Sequence, residues 1–301
     1  MLNAGMTSTP HSFAAPILVV GGTGMLGRPV VERLLADGAV VRALVRDPAR
    51  ASLPPSVELI VGDVRDPASL VPAMRGARAV HISLRATRLE DFGPVEAEGT
   101  ANVARAAADA GVGRITYLSG AGVGAGDAEL LPVRTKQAAE NAIRASGVPY
   151  AILRATHFME SLDMFARDGK AMLLGPQPHA FHYLAAADFA GMAVRALTDP
   201  GVPSGAYELL GPQAFTMGEA LRTYVRLARP DLEYAEMPVA ALRPAAEASG
   251  DPALQLAVML FEAFQRMPEA GGAEIADAAL VAATTTLEAW CAARAGAANV
   301  A

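Results

Sequence analysis

From residue 17 the chain alternates short apolar runs with longer segments whose apolar residues recur at helical spacing. The runs at 17–20, 40–45, 57–61, 79–83, 115–119 and 150–153 are rich in Val, Ile, Leu and Tyr. None keeps a continuous polar face, so each reads as a strand buried on both sides of a sheet. Between them, 26–37 sets Leu26, Val30, Val31, Leu34 and Leu35 on one stripe, carries Pro29 in its first turn and stops at Gly38. Helices are likewise predicted over 94–110, ending at Gly111, and over 132–145, ending at Ser146-Gly147. Strand and helix in this rhythm predict a parallel sheet covered on both faces.

After residue 154 the rhythm changes. A helix is predicted over 185–197 and a short strand over 206–210, and Thr216 with Glu219 reads as a capping box opening a helix over 217–228. Two more helices are expected near 252–266 and 275–294. The expected division is a loose tail at 1–15, a nucleotide-binding domain at 16–154 and a substrate region at 155–301, with about 185–211 returning to the sheet. The run 259–264 (MLFEAF) has the spacing of a core stripe or a dimer face, which leaves room for a homodimer.

The strongest local signal is Ile17-Leu-Val-Val-Gly21-Gly22-Thr23-Gly24-Met25-Leu26-Gly27. A buried strand ends, the backbone turns tightly, and a helix begins where main-chain N–H groups can meet a pyrophosphate. Side chains would block that approach, which is the reason for glycine. No Gly-Lys-Ser/Thr follows, so a P-loop is excluded. The fold class is therefore α/β: a Rossmann-type doubly wound parallel sheet with a smaller, mostly helical C-terminal region. At the end of the second strand an acidic side chain would read the NAD ribose and an arginine the NADP phosphate. Arg46 stands there, with Arg50 and Arg28 within reach, so NADP is favoured; Asp47 beside it keeps NAD as the alternative. Gly62-Asp63-Val64 ends the third strand in a turn suited to an adenine edge, with Asp66 set to cap the next helix.

Composition narrows the function. Of 301 residues, 52% are hydrophobic and 19% charged, enough apolar surface for a real core. The net charge of −6 argues against nucleic acid as a partner. The lone Cys291 excludes an internal disulfide and a multi-thiolate zinc site. Five histidines at 11, 81, 157, 179 and 182 lack ligand spacing, so no metal is expected. The first 16 residues lack the basic and apolar regions of a signal peptide, and no run is long enough to cross a membrane. A cytoplasmic protein acting on a small molecule is expected. Of 25 cations only Lys136 and Lys170 are lysine.

The segments GGTGMLG, VRALVRDPAR, VGDVRD, SGVPYAILRATHFMES and YELLGP resemble the NmrA-like group of atypical short-chain dehydrogenases/reductases over about residues 17–220. The resemblance implies NADPH-dependent reduction of quinone-, enone- or carbonyl-type substrates, or non-catalytic sensing of the nucleotide through a protein partner. It implies that Gly21, Gly24 and Gly27 cradle the pyrophosphate, with Gly22, Thr23, Met25 and Leu26 in the same turn. Arg46 would hold the 2′-phosphate, Asp63 and Val64 would flank adenine, and Leu84 and Arg85 would line the cleft. Ala155, Thr156 and Phe158 would lie by the nicotinamide.

Carbonyl reduction in the broader superfamily uses a Tyr, a Lys four residues later and a Ser after the fifth strand. Here Ser119 and Lys136 stand at the matching places, which implies that Lys136 binds the nicotinamide ribose of the cofactor, but the Tyr position holds Pro132. Ordinary ketone chemistry is therefore in doubt, whereas quinones need less help because their reduced product is a stabilised phenolate. Lys136, directly or through water, and His157, beside the expected nicotinamide, are the candidate proton sources or charge stabilisers; His182 and Tyr183 read as structural.

Overall fold

The computed structural model describes residues 15–124, 129–269 and 280–298. The tail expected at 1–15 thus falls almost wholly outside the described residues. Seven strands form the central sheet: β1 (Ile17–Val20), β2 (Val41–Val45), β3 (Glu58–Val61), β4 (Ala79–Ile82), β5 (Ile115–Gly120), β6 (Tyr150–Ala155) and β11 (Gly205–Leu209). Their spatial order is β3-β2-β1-β4-β5-β6-β11, every pair parallel. The chain winds outward from β1 in one direction, then crosses back to β4. The C-terminal ends of β1 and β4 therefore flank the crevice where doubly wound sheets bind ligands.

The pleat explains why the strands carry no polar face. Ile17 and Val19 point to the layer made by α1 (Gly27–Ala36) and α5 (Ala186–Thr198), against Val31, Leu34, Phe189 and Ala193. Leu18 and Val20 point to the opposite layer, against Leu70 and Met74 of α2 (Pro67–Met74), Val103 of α3 (Gly99–Asp109) and Ile143 of α4 (Leu131–Ala145). Each such side chain contributes roughly 1.5–3 kcal/mol on burial. Asp66 caps α2 through the Ala68 N–H at 3.1 Å.

Between β6 and β11 the chain leaves the sheet. β7 (His157–Phe158), β10 (Ala180–Leu184) and β12 (Ala214–Thr216) form one three-stranded sheet; β8 (Ala166–Arg167), β9 (Lys170–Gly175) and β13 (Glu233–Pro238) form another. The helices α6 (Met217–Ala228), α7 (Val239–Ser249), α8 (Pro252–Arg266) and α9 (Leu287–Ala298) cover them. The capping box of α6 is present in full.

Two helices depart from their sequence-based bounds. The helix expected over 94–110 begins as a π-helical stretch, Phe92–Glu98, before α3. The wider turn carries Glu96 inward, where a regular amphipathic pattern would put it outside. The helix expected near 275–294 begins at Leu287; 280–286 is irregular, tied down by Asp188, whose carboxylate takes the Thr284 and Thr285 N–H groups at 2.9 and 2.8 Å.

Candidate active site

The glycine turn separates packing demands from ligand demands. A Cβ on Gly21, whose φ is +85°, would stand 2.2 Å from the Ser83 carbonyl oxygen at the end of β4. One on Gly27 would stand 2.2 Å from the Gly21 oxygen. Both glycines are required by the turn itself. Gly24 is different: it is exposed, and a Cβ would meet only the Gly21 oxygen at 3.3 Å. The start of α1 has no side-chain cap and no acidic residue in its first turn. Thr23, Gly24 and Met25 are exposed around it. An uncapped helix start behind an open glycine fits a pyrophosphate.

At the ends of β2 and β3, Arg46 is exposed, while Asp47 turns one oxygen to the Ala49 N–H at 3.0 Å. The Asp63 carboxylate is held by Arg65, through Nε at 3.0 Å and a terminal guanidinium nitrogen at 2.6 Å, which lowers its pKa below the usual carboxylate range. Val64 is buried, and its carbonyl accepts from Asn102 Nδ2 at 2.9 Å.

Lys136 is not a free ammonium. Its Nζ lies 3.0 Å from Glu96 Oε2, off hydrogen-bond alignment but as a close ion pair, and donates to the carbonyls of Leu84 at 3.4 Å and Leu118 at 3.3 Å. The other Glu96 oxygen accepts the Ala86 N–H at 2.6 Å. Burial works against the charge on Lys136, but the Tyr117 hydroxyl and the Glu96 carboxylate outweigh it and raise its pKa above the ordinary range. The pair thereby clamps 84–86, at the end of β4, onto β5 and α4.

Ser119 is committed elsewhere too. Its hydroxyl donates to Glu140 Oε1 at 2.7 Å, and Glu140 also accepts from Arg154 Nε at 2.9 Å and Arg144 at 2.8 Å. Burial alone would raise the Glu140 pKa; the hydrogen bonds from Arg154, Ser119 and Arg144 lower it below normal.

A cavity of about 1110 Å³ opens between the sheet ends and the C-terminal region. Met25, Leu26, Arg85, Gly120, Ala155, Thr156 and Phe158 line it from the Rossmann side. Phe165, Phe181, Tyr183, Leu260, Phe261 and Phe264 line it from the other. Six methionines, Met25, Met164, Met172, Met217, Met237 and Met267, also border it, out of 12 in the chain. Lys136 and Ser119 are not among its walls.

His157 stacks at 4.4 Å on Phe181 and meets the Phe264 ring at 5.0 Å. Burial pushes its pKa down to about 4, so at neutral pH it is an uncharged imidazole, not a ready proton donor. Its Nε2 has no hydrogen-bond partner among the described residues, nor does the hydroxyl of Tyr183. A buried polar atom left in that state costs about 1–3 kcal/mol.

The far wall is stitched shut by a residue that no motif flags. Glu269, three residues beyond α8, accepts from the Thr156 hydroxyl at 2.6 Å and the His182 N–H at 2.9 Å, and its other oxygen lies 2.6 Å from His182 Nδ1. Glu96 and Glu140 likewise carry no local signal, since both sit in helices as ordinary solvent-type residues. Only the length of chain between partners hides these contacts; the residue types are those that buried cations require.

The NAD(P)H-binding family matches residues 21–200. The chain belongs to that family. It is 36% identical over 242 residues to the (4-alkanoyl-5-oxo-2,5-dihydrofuran-3-yl)methyl phosphate reductase of Streptomyces griseus, covering 78% of this chain and 82% of that one. It is 31% identical over 208 residues to the NAD(P)H azoreductase of Xenophilus azovorans, covering 67% and 70%. The structure of the Citrobacter sp. triphenylmethane reductase complexed with NADP(H) superposes with a TM-score of 0.73 at 22% identity, over 93% of this chain and 99% of that one. The Rossmann-type α/β fold and the nicotinamide dinucleotide cofactor expected from the sequence hold. The chain is placed among NAD(P)H-dependent reductases. No helix among the described residues is long and apolar enough to cross a membrane, and no cluster of three metal-ligating side chains occurs among them.

Proposed function

We propose that this protein reduces a small, apolar, conjugated acceptor of quinone, enone or related carbonyl type with NADPH. The cavity carries the reading. It is apolar, of ligand size, and bordered on one side by the residues expected beside the nicotinamide, Ala155, Thr156 and Phe158. The Streptomyces relative is named for a (4-alkanoyl-5-oxo-2,5-dihydrofuran-3-yl)methyl phosphate, a conjugated acceptor that also carries a phosphate group.

NADPH is preferred over NADH because Arg46 is the open charge at the end of β2, whereas Asp47 is engaged in its own turn. Gly21, Gly22, Thr23, Gly24, Met25, Leu26 and Gly27 hold the pyrophosphate; Val64 packs beside adenine, with Asp63 fixed by Arg65; Arg85 borders the cavity, with Leu84 beside it in the chain. Bound NADPH supplies the hydride. Lys136 acts as a positioning residue: it fixes Leu84 through its carbonyl, and its full positive charge offsets Glu96. Ser119 likewise positions Arg154 through Glu140. Of Lys136, Ser119 and His157, His157 is the one that lines the substrate cavity.

A quinone or enone suits this apparatus because its own conjugation spreads the charge that arrives with the hydride, so the missing Tyr is tolerated. The same cavity counts against a purely nucleotide-sensing role through a protein partner, which needs no room for a second small molecule. Mixing the protein with NADPH and a panel of quinones, enones and simple ketones, and following loss of nicotinamide absorbance, tests the reading. Turnover of quinones or enones above ketones is expected; tight NADPH binding with no turnover of any of them would sink it.

A further inference from the structure

We propose that Arg85, Arg167 and Arg266 form an anion-binding mouth on the substrate cavity, so that the acceptor carries a carboxylate or phosphate at one end of a conjugated, apolar body. This rests on the reductase reading above and deepens it by naming a second feature of the substrate.

The cavity is graded in depth. Ala155, Phe158, Phe181 and Tyr183 line it and are buried, whereas Met25 and Met164 line it and stand 38% and 61% exposed. The methionines therefore mark where it opens. The three arginines also line it and are exposed. Arg85, on the Rossmann side, reaches across to Met164, where a guanidinium nitrogen lies 3.6 Å from the sulfur. Arg167 ends β8, three residues further on, and Arg266 ends α8. Phe165, two residues before Arg167, meets Phe261 of α8 edge to face at 5.7 Å, which holds the two elements together.

Charge sets this wall apart from the rest of the molecule. The chain carries a net charge of −6, yet the charged residues that line the cavity are Arg85, Arg167, Arg266 and Glu269. Glu269 is already bonded to Thr156 and His182. The arginines are hardly neutralised. Arg266 makes no hydrogen bond or ion pair among the described residues, and Arg85 bonds there only to the Met164 sulfur. Arg167 pairs with its neighbour Asp168 at 3.4 Å, both side chains being open to solvent, where such a pair contributes about 0–1 kcal/mol. The cofactor does not account for these charges, since Arg167 and Arg266 lie outside the strands and turns that carry its phosphate sites. A guanidinium fork matches a carboxylate or phosphate in shape as well as in sign. Deeper in, Phe158, Phe181 and the neutral His157 offer nothing to replace the hydration of an anion. The conjugated end of the guest therefore faces Ala155, Thr156 and Phe158, and its anionic end stays at the arginines.

Equilibrium dialysis of the whole protein saturated with NADP+, so that its cofactor phosphate sites are filled, compares benzalacetone with 4-carboxybenzalacetone. The second probe is the same enone with a carboxylate at the far end of its ring. The protein is expected to prefer the carboxylate by about tenfold at low salt and to lose most of that preference in about 0.5 M sodium chloride. Arg167→Gln combined with Arg266→Gln should bring the preference to within about threefold; Arg85 is left in place because it belongs to the Rossmann wall. Both replaced side chains are exposed, so the double variant should melt as the parent does. No preference in the parent, or an unchanged preference in the double variant, would overturn the anion-binding mouth. Oxidation of NADPH by the two probes separates this proposal from the one it rests on. A preference that persists without any turnover sinks the reductase reading and leaves the mouth standing; turnover of both enones with KM values that do not differ does the reverse.

Discussion

Glu96 and Lys136 form an ion pair at 3.0 Å that joins the π-helical stretch 92–98 to α4, with Glu96 only 3% exposed. Removing one partner of such a pair leaves an uncompensated buried charge, at a cost of about 3–5 kcal/mol. Lys136→Ala is expected to destabilise the fold by that order and to weaken NADPH binding, because the Leu84 carbonyl loses its donor. Lys136→Met combined with Glu96→Gln should recover most of the stability and little of the cofactor affinity. Thermal unfolding beside an NADPH titration separates the two effects. Lys170→Ala should alter neither, since that ammonium is exposed and 3.9 Å from Glu233.

The glycine turn predicts a split among three alanine variants. Gly21→Ala and Gly27→Ala drive a methyl into a backbone oxygen at 2.2 Å, and Gly21 adds the strain of a positive φ, about 1–3 kcal/mol by itself. Both should lower the melting temperature sharply. Gly24→Ala meets one oxygen at 3.3 Å, so its fold should survive while NADPH affinity falls about tenfold. A Gly24→Ala protein that melts normally and binds NADPH normally would show that this glycine serves neither purpose.

Two buried neutral histidines set the acid limb of stability. Burial holds His81 at about 3 and His157 at about 4, against an ordinary value of 6.5. Between those values and 6.5 the unfolded chain binds protons that the folded chain refuses, so stability rises with pH there. It is complete above 6.5 and falls as the pH drops through the window, by a few kcal/mol for each of the two groups. Denaturant midpoints measured across this range should show the decline, and His157→Phe should flatten part of it.

Glu269 predicts a variant that loosens the far wall without touching the Rossmann core. In Glu269→Ala the Thr156 hydroxyl and the His182 N–H lose their acceptor, freeing the segment that follows α8. The acceptor KM should rise about three- to tenfold, the span of one or two modest hydrogen bonds. Hydrogen exchange should quicken at 257–269, which contains the wall residues Leu260, Phe261 and Phe264.

Much of this was legible in the sequence, and for an identifiable reason. The strands from β1 to β6 are local apolar runs, and the turn at 21–27 bears its chemistry in consecutive residues. The capping box of α6 and the Asp66 cap span four and three residues and need no tertiary partner to be read. Strands β7 and β8, two residues long each, offer no periodicity at all. Tyr183 read as a structural residue because nothing local distinguishes a tyrosine with a bonded hydroxyl from one without. Lys136 is marked by its position in the chain, but its partner Glu96 is not, since only the widened turn at 92–98 brings it inward. Contacts that bridge two layers, such as Ser119 with Glu140 or Thr156 with Glu269, carry no trace in spacing.

The methionines that border the cavity give it a property that its volume alone does not. A thioether chain with three free torsions adjusts its outline at little cost, and sulfur is polarisable enough to lie against an aromatic face. Six such side chains around one cavity make its contour a response to the guest. Acceptors of quite different shape should therefore compete for the same berth.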